Sequence, residues 1–355
     1  VMTCELVHVV RRYGPVGGME RYVWELTQEL VLLGHQVTVV CERCHADKPA
    51  GMKVVELGKV APRPRWLALL RFSRRVSCWL RDHPNADRLV HSHERLSLHH
   101  ITTFHGPPFA TIFERPWWRW LSLRVVMQLY LERRELSRPQ FVVPNSPFIK
   151  QSIAHYYPQL AYKLTEPVVP GVVPGAVREP RVVLPQGGIV GFVGKEWQRK
   201  GLPWAVKVVA ALRDKRQDLQ LYVVGPDAAE VAHLFADWQG GYQLVGWSAQ
   251  APYPAFDVLL HPARAEPYGM VISEAMSARV PVVISDVCGA ATHVNDASGL
   301  VLPLTAPLEA WVQAVDQQLC RVEVVPQFER PWRTVAEETV CIYADILAKN
   351  HLPAE

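Results

Sequence analysis

The sequence predicts an α/β protein made of two doubly wound parallel sheets. Three observations carry this. Short apolar runs alternate with segments of helical period, the alternation restarts after a proline- and glycine-rich stretch, and 355 residues suit two domains. With 49% hydrophobic and 20% charged residues the chain has the balance of a globular protein able to bury sizeable cores. It has no run of about 18 uncharged apolar residues, so no membrane-spanning helix is expected. The start, Val1-Met-Thr-Cys-Glu5, has no basic region followed by an apolar one, so no leader is expected. Seven cysteines without regular spacing suit reduced thiols and a cytoplasmic location, and Cys41 and Cys44 read as ordinary thiols.

The elements follow in order. Cys4–Val10 reads as a buried strand, then comes the glycine loop Tyr13-Gly-Pro-Val-Gly-Gly18. Met19, Tyr22, Val23, Leu26, Leu30 and Leu33 recur at helical spacing. Gly34 ends that helix and Gln36–Val40 is the next strand. Further strands are predicted at 53–57, 87–91, 101–104, 140–143 and 166–169, with helices near 65–81, 116–136 and 146–157. Pro167 to Gly188 reads as a linker. The pattern then restarts with strands at 188–193, 219–224, 257–260 and 281–284, and helices at 202–214, 227–237, 307–320 and 331–348. This gives domains at 1–170 and 171–330. Strands alternating with helices imply parallel sheets covered on both faces.

Open parallel sheets bind ligands beyond the carboxyl ends of their strands, and the chemistry-bearing motifs fall there. Gly17 and Gly18 open a helix after the first strand, where backbone amides and the helix dipole suit a phosphate. Gly194-Lys-Glu-Trp-Gln-Arg-Lys-Gly201 follows the first strand of the second half. Its Lys195, Arg199 and Lys200 could neutralise a diphosphate as it departs. Glu266-Pro-Tyr-Gly-Met-Val-Ile-Ser-Glu274 places two glutamates eight residues apart. With Glu274 two turns into a helix they would stand about 10 Å apart, too far to share one glycosidic bond. That separation suits one extended ligand with hydroxyls at both ends and phosphates between, the shape of a nucleotide-sugar.

This stretch resembles the E-x7-E signature of the family 4 retaining glycosyltransferases, which have the GT-B fold of two Rossmann-like domains facing across a cleft. The resemblance implies that Glu274 holds the ribose and Glu266 contacts the donor hexose. It also implies that the backbone of Tyr268, Gly269, Met270 and Val271 faces hexose and phosphate. Lys195 stands where the family usually has an arginine, and Lys200 at the family's lysine. Lysine lacks the bidentate fork of arginine, which leaves either Lys195 or Arg199 as the second phosphate ligand. Thr102-Thr-Phe-His-Gly-Pro107 is similar to the family's histidine-glycine pair, so His105 is expected at donor sugar or acceptor. Gly17 and Gly18 fall at the acceptor-side glycine loop. The helix 331–348 is expected to return to the first domain. Leu259-Leu-His-Pro-Ala263 and Val287-Cys-Gly-Ala290 resemble segments of the bacterial lipopolysaccharide-core glucosyltransferases, which use UDP-glucose. The loop after the first strand departs from theirs.

The expected function is thus a hexosyltransferase, with glucose from UDP-glucose as donor and a glycan or glycolipid such as lipopolysaccharide core as acceptor. No D-x-D triplet occurs, which favours lysines over a metal at the diphosphate; no metal and no cofactor are expected. The pair His91 and His93 reads as structural, because no third ligand has a recognisable spacing. Other readings are a sugar-nucleotide epimerase of similar fold, for which no acid/base set is apparent, and a non-catalytic nucleotide-sugar-binding protein.

Charge is uneven. Residues 1–170 hold 23 Lys+Arg against 14 Asp+Glu, whereas residues 171–355 hold 15 against 20. Residues 65–81 and 115–138 interleave tryptophan with arginine, which suits an anionic membrane surface, at the inner face of a membrane in this reading. No nucleic acid partner is expected.

Overall fold

The computed structural model describes residues 4–350, so Val1–Thr3, read above for a leader, lie outside it. The chain divides into two compact units, Val1–Gly171 with Arg330–Glu355, and Val172–Glu329.

In the first unit the chain runs β1 (Glu5–Val9), β2 (Arg12–Tyr13), α1 (Gly18–Leu32), β3 (Val37–Cys41), β4 (Arg43–Cys44), β5 (Lys53–Glu56) and α2 (Arg65–Asp82). Then come β6 (Arg88–Ser92), β7 (Ile101–Phe104), α3 (Leu123–Ser137), β8 (Phe141–Pro144) and α4 (Pro147–Tyr156). The large sheet has the order β5-β3-β1-β6-β7-β8, all parallel, while β2 and β4 pair by themselves. Counted within the sheet this is 3-2-1-4-5-6, with its switch point between β1 and β6. There His8 is the register partner of His91. β3 is buried along its whole length, as a strand covered on both faces must be. Phe72, Val76 and Trp79 of α2 close one core with Val7, Val9 and Val90.

The second unit repeats the plan as β9 (Ile189–Val193), α5 (Leu202–Arg213), β10 (Gln220–Val224), α6 (Ala228–Val231), β11 (Tyr242–Gly246), β12 (Val258–His261), α7 (Met270–Ser277), β13 (Val282–Ser285), β14 (Gly299–Leu302) and α8 (Leu308–Leu319). Its sheet order, β11-β10-β9-β12-β13-β14, is again 3-2-1-4-5-6 and parallel. Trp311 of α8 is fully buried against Val209, Leu212 and Leu260. The last helix, α9 (Trp332–Asn350), belongs to the first unit and packs on α1. Arg330 just before it donates to the Val169 carbonyl at 3.1 Å.

The structure corrects several element predictions. Residues 166–169 form no ladder strand; Val168 N–H bonds the Pro144 carbonyl at 3.1 Å, but the chain is leaving the sheet at Pro167 and Pro170. The helix expected over 116–136 is a 3₁₀ turn, Trp117–Arg119, and then α3, whose Ser122 cap accepts from Val125 N–H at 3.2 Å. Pro116 disfavours helix in the residue before it, and Ser122 offers a better start. The helix at 227–237 is one α turn followed by a 3₁₀ turn, Ala232–Phe235. β11 and β14 were not foreseen: both are half-buried edge strands of four or five residues, with apolar runs of only two and three residues, Leu244–Val245 and Leu300–Leu302.

Candidate active site

In the second unit the site is built from the segments that leave β9 and β12 at the switch point. Gly194 follows β9 with φ +155, and a side chain there would overlap the Lys200 stem. Glycine therefore lets the Lys200 chain fold back across the strand end. Lys200 Nζ reaches Glu266 Oε2 at 3.0 Å. Glu266 is buried, and its carboxylate also meets His261 Nε2 at 3.2 Å and Arg199 Nη1 at 3.6 Å. Burial alone would push this carboxyl up, but Lys200, His261 and Arg199 together hold it well below the usual carboxylate range. The Glu266 segment is fixed by its backbone: Gly289 N–H donates to the Glu266 carbonyl at 3.0 Å and Ala290 N–H to that of Tyr268 at 2.7 Å.

Gly269, with φ +95, then turns the chain into α7. The first-turn N–H groups of such a helix have no intrahelical partners and suit a negatively charged ligand. Glu274 is the fifth residue of α7, little more than one turn in rather than two. This puts it about 6 Å along the axis from the helix start. Its Oε2 accepts from the Tyr253 hydroxyl. Glu266 and Glu274 therefore differ: one is buried among three cationic or imidazole groups, the other is half-buried under a phenol.

Of the residues singled out from sequence, the fold brings Arg199, Lys200 and Glu266 together. Arg199 is already occupied, donating to Glu196 at 2.7 Å and to the Ala265 carbonyl. Lys195 is exposed. The Tyr268 ring is buried and its hydroxyl bonds Ser273 at 2.8 Å, so it leaves only backbone for a ligand. His261 was missed as a site residue. It is the last residue of β12 and fully buried, and a polar residue ending a parallel strand was the available signal.

In the first unit, Gly17 caps α1 and Gly18 begins it. A side chain at Gly17 would overlap the carboxylate of Glu20, which is held by Arg12; at Gly18 the space is open. His105 lies just past β7, half-buried, with Nε2 at 2.9 Å from His93 Nδ1 and its ring edge-on to Tyr22 at 5.0 Å. Burial lowers it to about 3, so the ring is neutral. Sequence spacing offered no third partner for His91 and His93; the fold supplies His8 from the neighbouring strand.

The two tryptophan-bearing segments differ. In α2 Phe72, Val76 and Trp79 turn inward, with Trp79 beneath the Arg88 guanidinium, while Trp66 is half-buried, so 65–81 shows solvent chiefly its arginines. Between Phe113 and Tyr130 many apolar residues point outward, although Val125 is buried: Trp117 and Trp118 are 63% and 62% exposed, and Leu121, Leu123, Val126 and Tyr130 are exposed with them. Arg115, Arg119, Arg124 and Arg133 are exposed beside them. The segment is tethered from below by Glu132, fully buried, which accepts from Ala110 N–H at 3.1 Å, the Tyr157 hydroxyl at 2.8 Å and Arg95 at 3.0 Å. Among the described residues no helix is long and apolar enough to cross a membrane.

Two Rossmann-like units of this strand order, α/β throughout, are the plan of the GT-B architecture. The family model for "Glycosyltransferase Family 4" matches residues 16–165, and that for "Glycosyl transferases group 1" matches residues 187–321. The chain belongs to the family 4 glycosyltransferases of GT-B fold. It is 24% identical over 324 residues to the lipopolysaccharide glucosyltransferase WaaG of Escherichia coli K12, covering 81% of this chain and 82% of that one. It is 28% identical over 225 residues to a GDP-mannose-dependent alpha-mannosyltransferase of Mycolicibacterium smegmatis, covering 60% and 59%. The crystal structure of WaaG, described as a glycosyltransferase involved in lipopolysaccharide biosynthesis, superimposes with a TM-score of 0.75 at 19% identity, over 96% of this chain and 95% of that one.

Proposed function

We propose that the chain is a retaining hexosyltransferase that moves glucose from UDP-glucose to a glycan or glycolipid such as lipopolysaccharide core, without a metal. The observation that carries this is the buried Lys200–Glu266–His261 cluster at the switch point, with Glu274 one helical turn beyond the amides of α7. The amides and a lysine pair, Lys195 and Lys200, suit a diphosphate that gains charge as it leaves. Glu266, ionised at every ordinary pH, can accept from hexose hydroxyls, and Glu274 from the ribose. Arg199 acts as a brace for Glu266 rather than a phosphate ligand. Within the first unit, His105 is the candidate for contact with a sugar, and Gly17 and Gly18 leave room for a ligand beside α1. The named activity of WaaG supports glucose and the lipopolysaccharide core.

The exposed strip from Phe113 to Tyr130 suits an anionic membrane, at whose inner face a lipid-borne acceptor would be presented. Aromatic and aliphatic side chains enter the interface while the arginines meet headgroups.

The test is incubation of the purified chain with UDP-glucose or GDP-mannose, alone and with deacylated lipopolysaccharide core, followed by chromatography of the sugars. Slow release of glucose from UDP-glucose alone, and its transfer when core is added, is expected. Turnover of GDP-mannose only would overturn the donor assignment. Conversion of the sugar nucleotide to an epimer, or tight binding with no turnover, would overturn the reaction.

A further inference from the structure

At the switch point of the first unit six buried or half-buried groups form one unbroken hydrogen-bonded chain. His105 Nε2 meets His93 Nδ1 at 2.9 Å, and His93 Nε2 meets His8 Nδ1 at 3.1 Å. His8 Nε2 meets the Tyr343 hydroxyl at 3.1 Å, which in turn meets His91 Nδ1 at 2.6 Å. His91 Nε2 meets Thr103 Oγ1 at 2.7 Å. Burial lowers His8 to about 3 and holds His91 and His93 well below the ordinary imidazole range, so each ring carries one proton.

Counting protons restricts which way the donors can point along the chain. A neutral imidazole donates from one nitrogen and accepts at the other. Five links joining six one-proton groups therefore all point the same way, unless the Tyr343 oxygen, with its two lone pairs, accepts from both His8 and His91; the buried Tyr343 proton then has no acceptor among the described residues, which is costly. If the chain runs from His105 toward Thr103, the Thr103 hydroxyl accepts from His91 and must donate elsewhere. Thr103 is 1% exposed and no other acceptor lies within its reach among the described residues. A buried hydroxyl proton without an acceptor is costly. If the chain runs from Thr103 toward His105, every donor is used: Thr103 to His91, His91 to Tyr343, Tyr343 to His8, His8 to His93, and His93 to His105 Nε2. The His105 proton then stands on Nδ1.

We propose that His93, His8, Tyr343, His91 and Thr103 are positioning residues that fix His105 in its Nδ1–H tautomer, so that His105 presents a hydrogen-bond donor, not a base, to the oxygen of a sugar hydroxyl or phosphate. The nature of that ligand rests on the transferase reading; the tautomer does not. Tyr343 brings the last helix into the network, since it lies on α9 and bridges β1 and β6. A transition metal held by His8, His91 and His93 is the competing use of this cluster, as their ligand atoms lie within 4.8 Å of one another. Two features disfavour it. The His91 and His93 rings stack at 4.4 Å and 26°, so their lone pairs run side by side rather than converge. Both nitrogens of each ring are also already engaged within the chain.

The experiment is long-range proton–nitrogen NMR of the full chain labelled with ¹⁵N-histidine at neutral pH, with His105→Gln to assign the His105 signals. The expected result is a single His105 tautomer with its proton on Nδ1. Thr103→Val keeps the shape but removes the terminal donor, so His105 should become a mixture of tautomers, with donor KM little changed and kcat lower by roughly two- to tenfold. Tyr343→Phe should give the same mixture. A His105 proton on Nε2 in the wild type, or an unchanged tautomer in a folded Thr103→Val, would overturn the proposal. So would one equivalent of zinc in the purified protein by elemental analysis. If the tautomer is as stated but no sugar transfer occurs with any donor, the transferase reading fails and the positioning chain stands.

Discussion

Replacing Lys200 by methionine tests the central cluster, because it removes one charge and keeps the stem. The structure sets the magnitude. Lys200 Nζ is 3.0 Å from Glu266 Oε2, and both side chains are largely buried, at 14% and 8% exposure. At an effective dielectric of 20 the pair attraction is about 5.5 kcal/mol. Breaking such buried pairs by removing one partner costs about 3–5 kcal/mol, because the other charge is stranded. Here Glu266 keeps His261 at 3.2 Å and Arg199 at 3.6 Å, so the lower figure applies, about 3 kcal/mol. For a unit of this size that is a Tm lower by about 6–12 °C at neutral pH.

The pH dependence follows from the same geometry. A carboxylate whose pKa is lower in the folded chain stabilises the fold above its unfolded value, about 4.3. That contribution is lost as pH falls through the folded value. The Glu266 carboxyl is lowered in this way, against the upward push of burial. Without Lys200 its folded value rises, so the mutant's deficit should be largest at neutral pH and shrink below about pH 4. Scanning calorimetry of wild type, Lys200→Met and Lys200→Met/Glu266→Gln between pH 3.5 and 8 measures this. The double mutant, with no stranded charge, should be more stable at neutral pH than the single one. A single mutant within about 1 °C of wild type at pH 7, or a double mutant less stable than the single, would refute a buried, charge-compensated Glu266.

Three further outcomes are expected. Glu274→Ala should weaken binding of the bare nucleoside diphosphate by roughly ten- to a hundredfold in calorimetry, the worth of a charged hydrogen bond. Tyr253→Phe, which removes only the hydroxyl that donates to that carboxylate, should have a smaller effect. Sugar transfer should survive EDTA; loss of activity restored by manganese or magnesium would mean that a metal, not Lys195 and Lys200, neutralises the diphosphate. Trp117→Ser/Trp118→Ser should reduce co-sedimentation with anionic vesicles by at least about tenfold, given the apolar area two exposed tryptophans can bury. High salt should weaken wild-type binding, and equal binding of wild type to neutral and anionic lipid would count against the membrane surface.

Much of the fold was legible because parallel strands buried on both faces are near-continuous apolar runs, and β1, β3, β9, β12 and β13 come close to this. The edge strands β11 and β14 were not, because their apolar runs are only two and three residues long, shorter than the run expected of a buried strand. The helix misplaced over 116–136 shows the limit of periodicity. Its apolar residues run most of the way round, and only the tether at Glu132 and the cap at Ser122 decide that Trp117 and Trp118 face outward. Conversely, the same tryptophan-arginine pattern in α2 packs Phe72 and Trp79 inward and leaves Trp66 half-buried.

The sequence by itself determined the repeated strand-helix plan and the motifs at strand ends: the glycines at 17 and 18, the lysines of 195–200, and the glutamates at 266 and 274. These are local, since a strand, its following turn and the next helix start are consecutive in the chain. Tertiary structure alone decided which of them meet. Lys200 follows β9 and Glu266 follows β12, and only the 3-2-1-4-5-6 order makes those strands neighbours, with His261 brought beneath them. Likewise His8, His91, His93, His105 and Tyr343 span almost the whole chain and become one hydrogen-bonded chain only when β1 pairs with β6 and α9 returns to the first unit. Sheet pairing and helix docking bring distant residues together because they bury apolar surface, and that non-directional force leaves little trace in local spacing.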